Sequence, residues 1–381
     1  MMPLDDGQPD VPSRLLMTPD LSRAYTRFDR WMLDQALPFW STVGHDGPGR
    51  PFTEHLTLDA KPADVPFRRV RVQARQIYVF SHAEILGWPH GRRAADDAYR
   101  FLISHGRLGD GWVRRIGRDG GVIDAAADLY DIAFVLFALA WRHRATGDAE
   151  PIALARRTVV WLDGLRIAGQ PGFENVKPVE AGPRQQNPHM HLLEAALALF
   201  EASGDEVFRD LALELVALFQ TKLFDAANGT LAEFFADDWQ RRRPAAIEPG
   251  HQFEWAWLLH QAGRLLGIEV AAEARRLYEF AARHGGMPVV DAVTEQGAIR
   301  DASTRLWPQT EAIKAHLVFG DMPAAARLTE TLCTRFLAPA PAGTWIDHFA
   351  ADGRALPDKI PASSLYHLFM AYAELRRVSA G

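Results

Sequence analysis

The stretch Leu129-Tyr130-Asp131-Ile132-Ala133-Phe134-Val135-Leu136-Phe137-Ala138-Leu139-Ala140-Trp141-Arg142-His143 is apolar or aromatic almost all round. It is followed by Ala145-Thr146-Gly147-Asp148. A helix apolar on every side has to be buried on every side. Gly147 then reads as a C-cap and the aspartate after it as the start of a new element. The same ending recurs at Ala202-Ser203-Gly204-Asp205, and amphipathic segments end near Gly91, Gly147, Gly204, Gly267, Gly320 and Gly381. The intervals run from 53 residues (Gly267 to Gly320) to 63 (Gly204 to Gly267). Six units of this length each hold two helices and their loops, and each is too short for a domain of its own.

Within a unit one helix carries a polar face, as Asp205 to Leu223 does, and the other does not. Segments of the second kind are Ala74 to Leu86, Leu129 to His143, Pro188 to Ala202, Gln252 to Leu266, Thr310 to Phe319 and Ser364 to Leu375. Six buried helices alternating with six half-exposed ones predict an all-α, closed (α/α)6 barrel, with residues 1–381 as a single domain. An open solenoid would show more uniform repeats and polar end caps. Stretches rich in Gly, aromatic and β-branched residues at Gly106 to Ile123, Leu223 to Phe235 and Gly285 to Thr304 read as loops or small hairpins. Asn228-Gly229-Thr230 has the form of a glycosylation sequon but reads as a tight turn between short strands. Gly117 to Gly121 lacks the flanking strand and helix of a phosphate-binding loop, so no nucleotide site is expected.

A formal charge of −6 argues against nucleic-acid or anionic-membrane partners, which call for concentrated Lys and Arg. The run Arg241, Arg242, Arg243 is isolated and reads as a solvated loop. Cys333, the sole cysteine, forms no intrachain disulfide and has no zinc-ligand spacing around it. Met1 to Arg14 carries Asp5, Asp6 and Asp10 and resembles no secretory signal, and no stretch is apolar enough for a membrane span. A cytoplasmic protein, monomer or homodimer, is expected.

Polar residues gather at the start of each buried helix. In order they are Arg75 and Tyr78; Asp128 and Tyr130; Asn187 and His191; His251 and Glu254; Trp307, Gln309 and Glu311; and Ser364 and His367. In a ring of parallel inner helices these face one end, forming a cup where helix N-termini favour developing negative charge. His191 stands one turn beyond Asn187, so the two share a face, whereas His189 points elsewhere and reads as structural. His251 and Glu254, at i and i+3, also share a face. A carboxylate there would raise the basicity of the imidazole and fix its tautomer. Trp307 beside Gln309 and Glu311 offers a flat ring with amide and carboxylate groups, the means of stacking on a sugar face and binding its hydroxyls. A buried Arg75 serves equally as ion-pair partner or ligand contact.

At these positions the chain resembles the N-acylglucosamine 2-epimerase family, which includes N-acylglucosamine and cellobiose 2-epimerases, D-mannose isomerases and sulfoquinovose isomerases. The resemblance rests on six ordered stretches, Arg75 to Ser81, Asp128 to Phe134, Asn187 to Ala195, Pro249 to Trp255, Arg305 to Glu311 and Ser363 to His367. Gln185-Gln186-Asn187-Pro188-His189-Met190-His191 is most similar to the D-mannose isomerase branch. The resemblance implies an (α/α)6 barrel and assigns general acid/base work to His251 and His367. It puts Arg75, Tyr130, Asn187, His191, Glu254 and Trp307 along a sugar site. It implies a small-molecule sugar substrate, no cofactor and no metal.

The chemistry expected is ring opening of an aldose, removal of the C2 proton to a cis-enediol, and collapse to a ketose or to the 2-epimer. Histidine suits both transfers, with an unperturbed pKa of ~6.5 near working pH. The base at C2 is expected to be His367, and the ring-opening group His251. A glycoside hydrolase or lyase on the same fold would need two opposed carboxylates across the site. A binding protein would keep Trp307 and Arg75 but not both histidines.

Overall fold

The computed structural model describes residues 17–44, 46, 50–356 and 358–380. The segment Met1 to Arg14 and Gly381, both used above, lie outside them. In chain order the helices are α1 Pro19–Trp31, the short α2 Leu37–Trp40, α3 Val70–Ile85, α4 Gly91–His105, α5 Leu129–Thr146, α6 Glu150–Leu162 and α7 Asn187–Ser203. They continue as α8 Glu206–Leu218, α9 Pro249–Leu266, α10 Ala271–His284, α11 Leu306–Phe319, α12 Met322–Thr331 and α13 Ser364–Ala380. Helices α3, α5, α7, α9, α11 and α13 pack on one another in that order, and α13 returns to α3. Outside them α4, α6, α8, α10 and α12 each lie on the inner helix that precedes them. The sixth outer helix is α1, from the other end of the chain, which packs on α12 and α13. Its Phe28 and Tyr25 rings meet Tyr372, whose hydroxyl donates to Asp29 at 2.9 Å. The chain is therefore an (α/α)6 barrel closed by its first and last helices. Among the described residues no helix is long and apolar enough to cross a membrane.

The helix ends follow the residues that chemistry favours there. Asp128 caps α5 by accepting from the Tyr130 and Asp131 amides, and Pro188 and Pro249 sit in first turns. Gly147, Gly204, Gly267 and Gly320 end inner helices in the left-handed conformation. The first unit differs from its sequence reading. The left-handed residue after α3 is Gly87, while Gly91 opens α4, where a Cβ would lie 2.5 Å from the Phe80 carbonyl. Two glycines four residues apart satisfy the same spacing, and only the packing of α4 on α3 separates their jobs.

The expected hairpins form at Arg107–Leu108 with Gly111–Trp112, at Ala292–Val293 with Ile299–Asp301, and at Phe224–Asp225 with Thr230–Leu231 around Asn228-Gly229. Pairing between successive connections was not legible in sequence. Phe67–Arg69 pairs with Arg115–Gly117, Ala127–Asp128 with Val176–Lys177, and Arg184–Gln185 with Phe234–Phe235. Ile247 bridges to Val293, Thr304–Arg305 pairs with His348–Phe349, and Ile360–Pro361 returns to His55–Leu56. Each connection thus holds the next, in a collar around the N-terminal ends of the inner helices.

Three glutamines, each the fourth residue of an inner helix, tie this collar down. Gln73 exchanges two hydrogen bonds with the backbone of Phe52, Gln252 with Leu231 and Gln309 with Val289, all at 2.8–3.0 Å. His189 takes the Phe173 amide in the same manner at 3.0 Å, in accord with its structural reading. Gln309 is fully buried, and its amide nitrogen also donates to the Arg305 carbonyl. Its expected role as a sugar ligand is therefore corrected: the amide is committed to a loop. Gln309→Leu should strand a buried backbone donor and acceptor, each costing about 1–3 kcal/mol. Urea unfolding measures this, and a variant as stable as the parent would contradict it.

Candidate active site

Inside the collar the first turns of the inner helices converge. Arg75 on α3 donates to the Tyr130 hydroxyl of α5 at 2.7 Å, and its guanidinium lies 4.0 Å from the Phe134 ring and 5.0 Å from Tyr366. The Tyr130 ring is 5.1 Å from that of His191, whose Nδ1 is 3.1 Å from Glu194 and whose Nε2 is 3.9 Å from Glu254. The Trp307 ring lies 4.7 Å from the His251 ring and 5.8 Å from that of His367. Arg75, Tyr130, His191, Glu254, His251, Trp307 and His367 thus form one continuous constellation. Asn187 lines, with Tyr130 and Asp128, an adjoining cleft of ≈ 700 Å³. Tyr78 does not join them. It is fully buried and donates to Met370 deeper in the barrel.

Arg75 has no carboxylate partner among the described residues, and its Nε makes no hydrogen bond within the protein. The same holds for Asn187 Oδ1 and for both oxygens of Glu254. Arg75, Asn187 and Glu254 thus each keep a buried polar atom available to a ligand.

His251 and His367 are each 7% exposed, yet their surroundings push them in opposite directions. Burial opposes charge on His251, but Glu233 at 2.8 Å and Glu248 at 3.6 Å from Nδ1 outweigh it and lift the pKa to about 9. Glu233 lies off the N–H axis, so this contact is an ion pair rather than an aligned hydrogen bond. Glu248 in turn takes Arg305 at 3.0 Å. For His367, burial prevails over its 2.8 Å hydrogen bond to Glu311 and lowers the pKa to about 4. The difference lies in the acids: Glu311 is shared with Lys314, whose Nζ is 2.5 Å from Oε2. A neutral His367 donates from Nδ1 to Glu311 and leaves Nε2 as a lone-pair acceptor.

The expectation that Glu254 orients His251 is corrected. Glu254 is turned into the barrel toward His191, Glu311 and Lys314, and the carboxylate on the His251 nitrogen is Glu233. Burial first, then Glu311, raises Glu254 well above the usual carboxylate range. Lys314 and His251 oppose this rise without reversing it. Glu233, Glu248 and His251 form one cluster compact enough to hold a metal ion, and Glu254, Glu311 and His367 another. In each, a protein cation, Arg305 or Lys314, already neutralises a carboxylate.

Trp307 is half-buried, and its approach depends on a glycine. A Cβ on Gly250 would stand 2.7 Å from the far edge of the indole and 2.9 Å from Pro308. Sequence reasoning missed Glu233, Glu248, Lys314 and Glu194 as parts of the site. Three of them stand three residues from a site residue, Glu194 from His191, Glu248 from His251 and Lys314 from Glu311, a signal that was present.

The N-acylglucosamine 2-epimerase (GlcNAc 2-epimerase) family model matches residues 51–371. The chain is similar to the mannose-6-phosphate isomerase of Rhizobium meliloti, 35% identical over 368 residues, which cover 91% of this chain and 95% of that one. It is 26% identical to the cellobiose 2-epimerase of Bacteroides fragilis, over 83% and 88% of the two chains. The solved structure of cellobiose 2-epimerase from Spirochaeta thermophila matches it with a TM-score of 0.84 at 25% identity, covering 95% of this chain and 98% of that one. With a match extending around nearly the whole ring of helices, the chain belongs to the N-acylglucosamine 2-epimerase family.

Proposed function

We propose that this isomerase-class carbohydrate enzyme interconverts D-mannose and D-fructose, or a close analogue, by moving a proton between C2 and C1 through a cis-enediol. The observation that carries this reading is the pair of imidazoles beside Trp307, one held charged and the other neutral. Two groups whose surroundings drive their pKa values apart are suited to be the acid and the base of one reaction. His251, as imidazolium, protonates the ring oxygen of the bound hemiacetal, and the imidazole so formed takes up the proton lost by the anomeric hydroxyl. The two transfers cancel and leave an open aldehyde. His367 then takes the C2 proton on Nε2, where it exchanges with solvent, and the enediolate collapses to the ketose when His367 returns a proton to C1 and the O2 hydroxyl hydrogen passes to O1. Arg75, with no carboxylate partner among the described residues, stabilises negative charge on the enediolate oxygens. Trp307 stacks on the sugar, while Tyr130, Asn187, His191 and Glu254 serve its hydroxyls.

In the adjoining cleft Arg71 is paired with Asp131, Arg114 with Glu180 and Arg184 with Glu174, so three of its four arginines already have counter-ions, the fourth being Arg242. The epimerase reading has its own support: a charged His251 across Trp307 from the base is a proton donor able to reach the opposite face of C2. Incubation of D-mannose in D2O, followed by NMR, separates the two. Fructose carrying deuterium at C1 is expected, and glucose deuterated at C2 as the only product would move the chain to the epimerases.

The acid/base assignment fixes the pH profile. A base is lost as pH falls through its pKa and an acid as pH rises through its own, so kcat/KM should fall below about pH 4 and above about pH 9. His367→Asn should abolish exchange of the reacting proton even from an open ketose. His251→Asn should lose more on the ring-closed aldose than on an open substrate, with both losses about 10²–10⁴-fold. Equal losses on both substrates would contradict the division of labour. Trp307→Ala should raise KM while the urea midpoint stays near that of the parent, and unfolding without a change in KM would show a purely structural ring.

A further inference from the structure

We propose that Lys314 is a positioning residue for the reaction: it holds Glu311 as a carboxylate, and Glu311 thereby holds His367 as a neutral imidazole with a free Nε2. The proposal rests on the reading of His367 as the base. Lys314 is fully buried on α11, one turn beyond Glu311. Its Nζ lies 2.5 Å from Glu311 Oε2 and 4.3 Å from the Trp257 ring, while Glu311 Oε1 accepts from His367 Nδ1 at 2.8 Å. Lysine, glutamate and histidine therefore form one line from the barrel interior to the cup. Folding alone gives no reason for the lysine. Its neighbours on α11 are Ile313, Ala315 and Leu317, and a buried ion pair is on average no more stabilising than apolar residues of similar volume.

The groups that face the pair come from every inner helix around it. Helix α9 contributes Glu254 and His251, α7 contributes His191 and Glu194, α13 contributes Tyr366 and His367, and α3 contributes Arg75. Tyr366 is occupied with Glu194, to which it donates, and Arg75 with Tyr130. Lys314 is thus the cation in contact with Glu311. Without it, Glu254 and Glu311 are two buried acids side by side, and the Glu311–His367 pair takes up a proton more readily. That proton has two resting places. On the imidazole it makes a cation with no free nitrogen; on Glu311 it hydrogen-bonds to Nδ1 and leaves the imidazole hydrogen on Nε2. Either state removes the acceptor that C2 needs. His251 meets this arrangement only through Glu254, and its charge is set first by the nearer Glu233 and Glu248.

The test is the pH dependence of kcat/KM for D-mannose in the full chain and in Lys314→Met, which keeps an unbranched side chain one atom shorter and removes the charge. The acid limb should move up by about 1–3 pH units, as for loss of a close opposite charge, while the alkaline limb stays in place. An unmoved acid limb, or both limbs shifting together, overturns the proposal. A second comparison, Glu311→Gln against Glu311→Gln/Lys314→Met, serves even where the single Lys314→Met variant does not fold, because the double variant buries neither charge of the pair. With no carboxylate left to hold, the lysine acts on His367 only through its own charge at longer range, so the acid limbs of these two variants should lie closer together than those of the parent and Lys314→Met; a separation as large or larger overturns the proposal. Retention of C2-proton exchange by His367→Asn would instead sink the assignment of the base, and the role of Lys314 with it. The two failures are therefore distinguishable.

Discussion

Burial of charge beside two like side chains governs the centre of this barrel. An imidazole withdrawn from water prefers to be neutral, and only carboxylates left free to face it reverse that preference. His251 has two such acids, Glu233 and Glu248, and becomes a cation. His367 has one, Glu311, whose charge is already turned toward Lys314. One residue type, in one cup and at equal exposure, is thus split into a proton donor and a proton acceptor by what stands behind each ring.

Such a split demands positions fixed to a fraction of an ångström, and the architecture supplies them. Inner helices buried on all sides have no freedom to shift without opening voids. The loops that deliver Glu233, Glu248 and Asp291 are tied to their neighbours all the way round the collar, and three glutamines pin that collar to the helices. Arg305 links these layers. It holds Glu248 and Asp291 and lies over the Trp307 ring at 5.3 Å, so one side chain joins the loop, the acid behind His251 and the aromatic platform. Gly250 lets that platform sit against α9.

The ring of helices was legible because its signal is local. Segments such as Leu129 to His143 have no polar face, and each unit closes on a cap. The histidines, Arg75 and Trp307 were legible for a related reason: polar residues at the start of an apolar helix stand out. The electrostatic partners were harder. Glu233 lies eighteen residues before His251 on a different element, and no periodicity joins them. Glu254, at the right spacing from His251, drew an assignment that belongs to Glu233, because a shared helix face does not say which way two side chains turn. Gln309 beside Trp307 looked like a ligand for the same reason that it makes a good clamp: an amide offers one donor and one acceptor side by side. Its recurrence with Gln73 and Gln252 at the fourth position of three inner helices is the clue that separates a structural device from a site residue.

The opposed protonation of the two histidines is measurable without substrate. In protein carrying ¹³C-labelled histidine, with His251→Asn and His367→Asn used to assign the resonances, the ring signals are followed by NMR across the pH range in which the fold is intact. His251 should stay charged through neutrality and titrate near pH 9, and His367 should stay neutral down to about pH 4. Both rings titrating together near the unperturbed value of ~6.5, or in the reverse order, would contradict the division into acid and base.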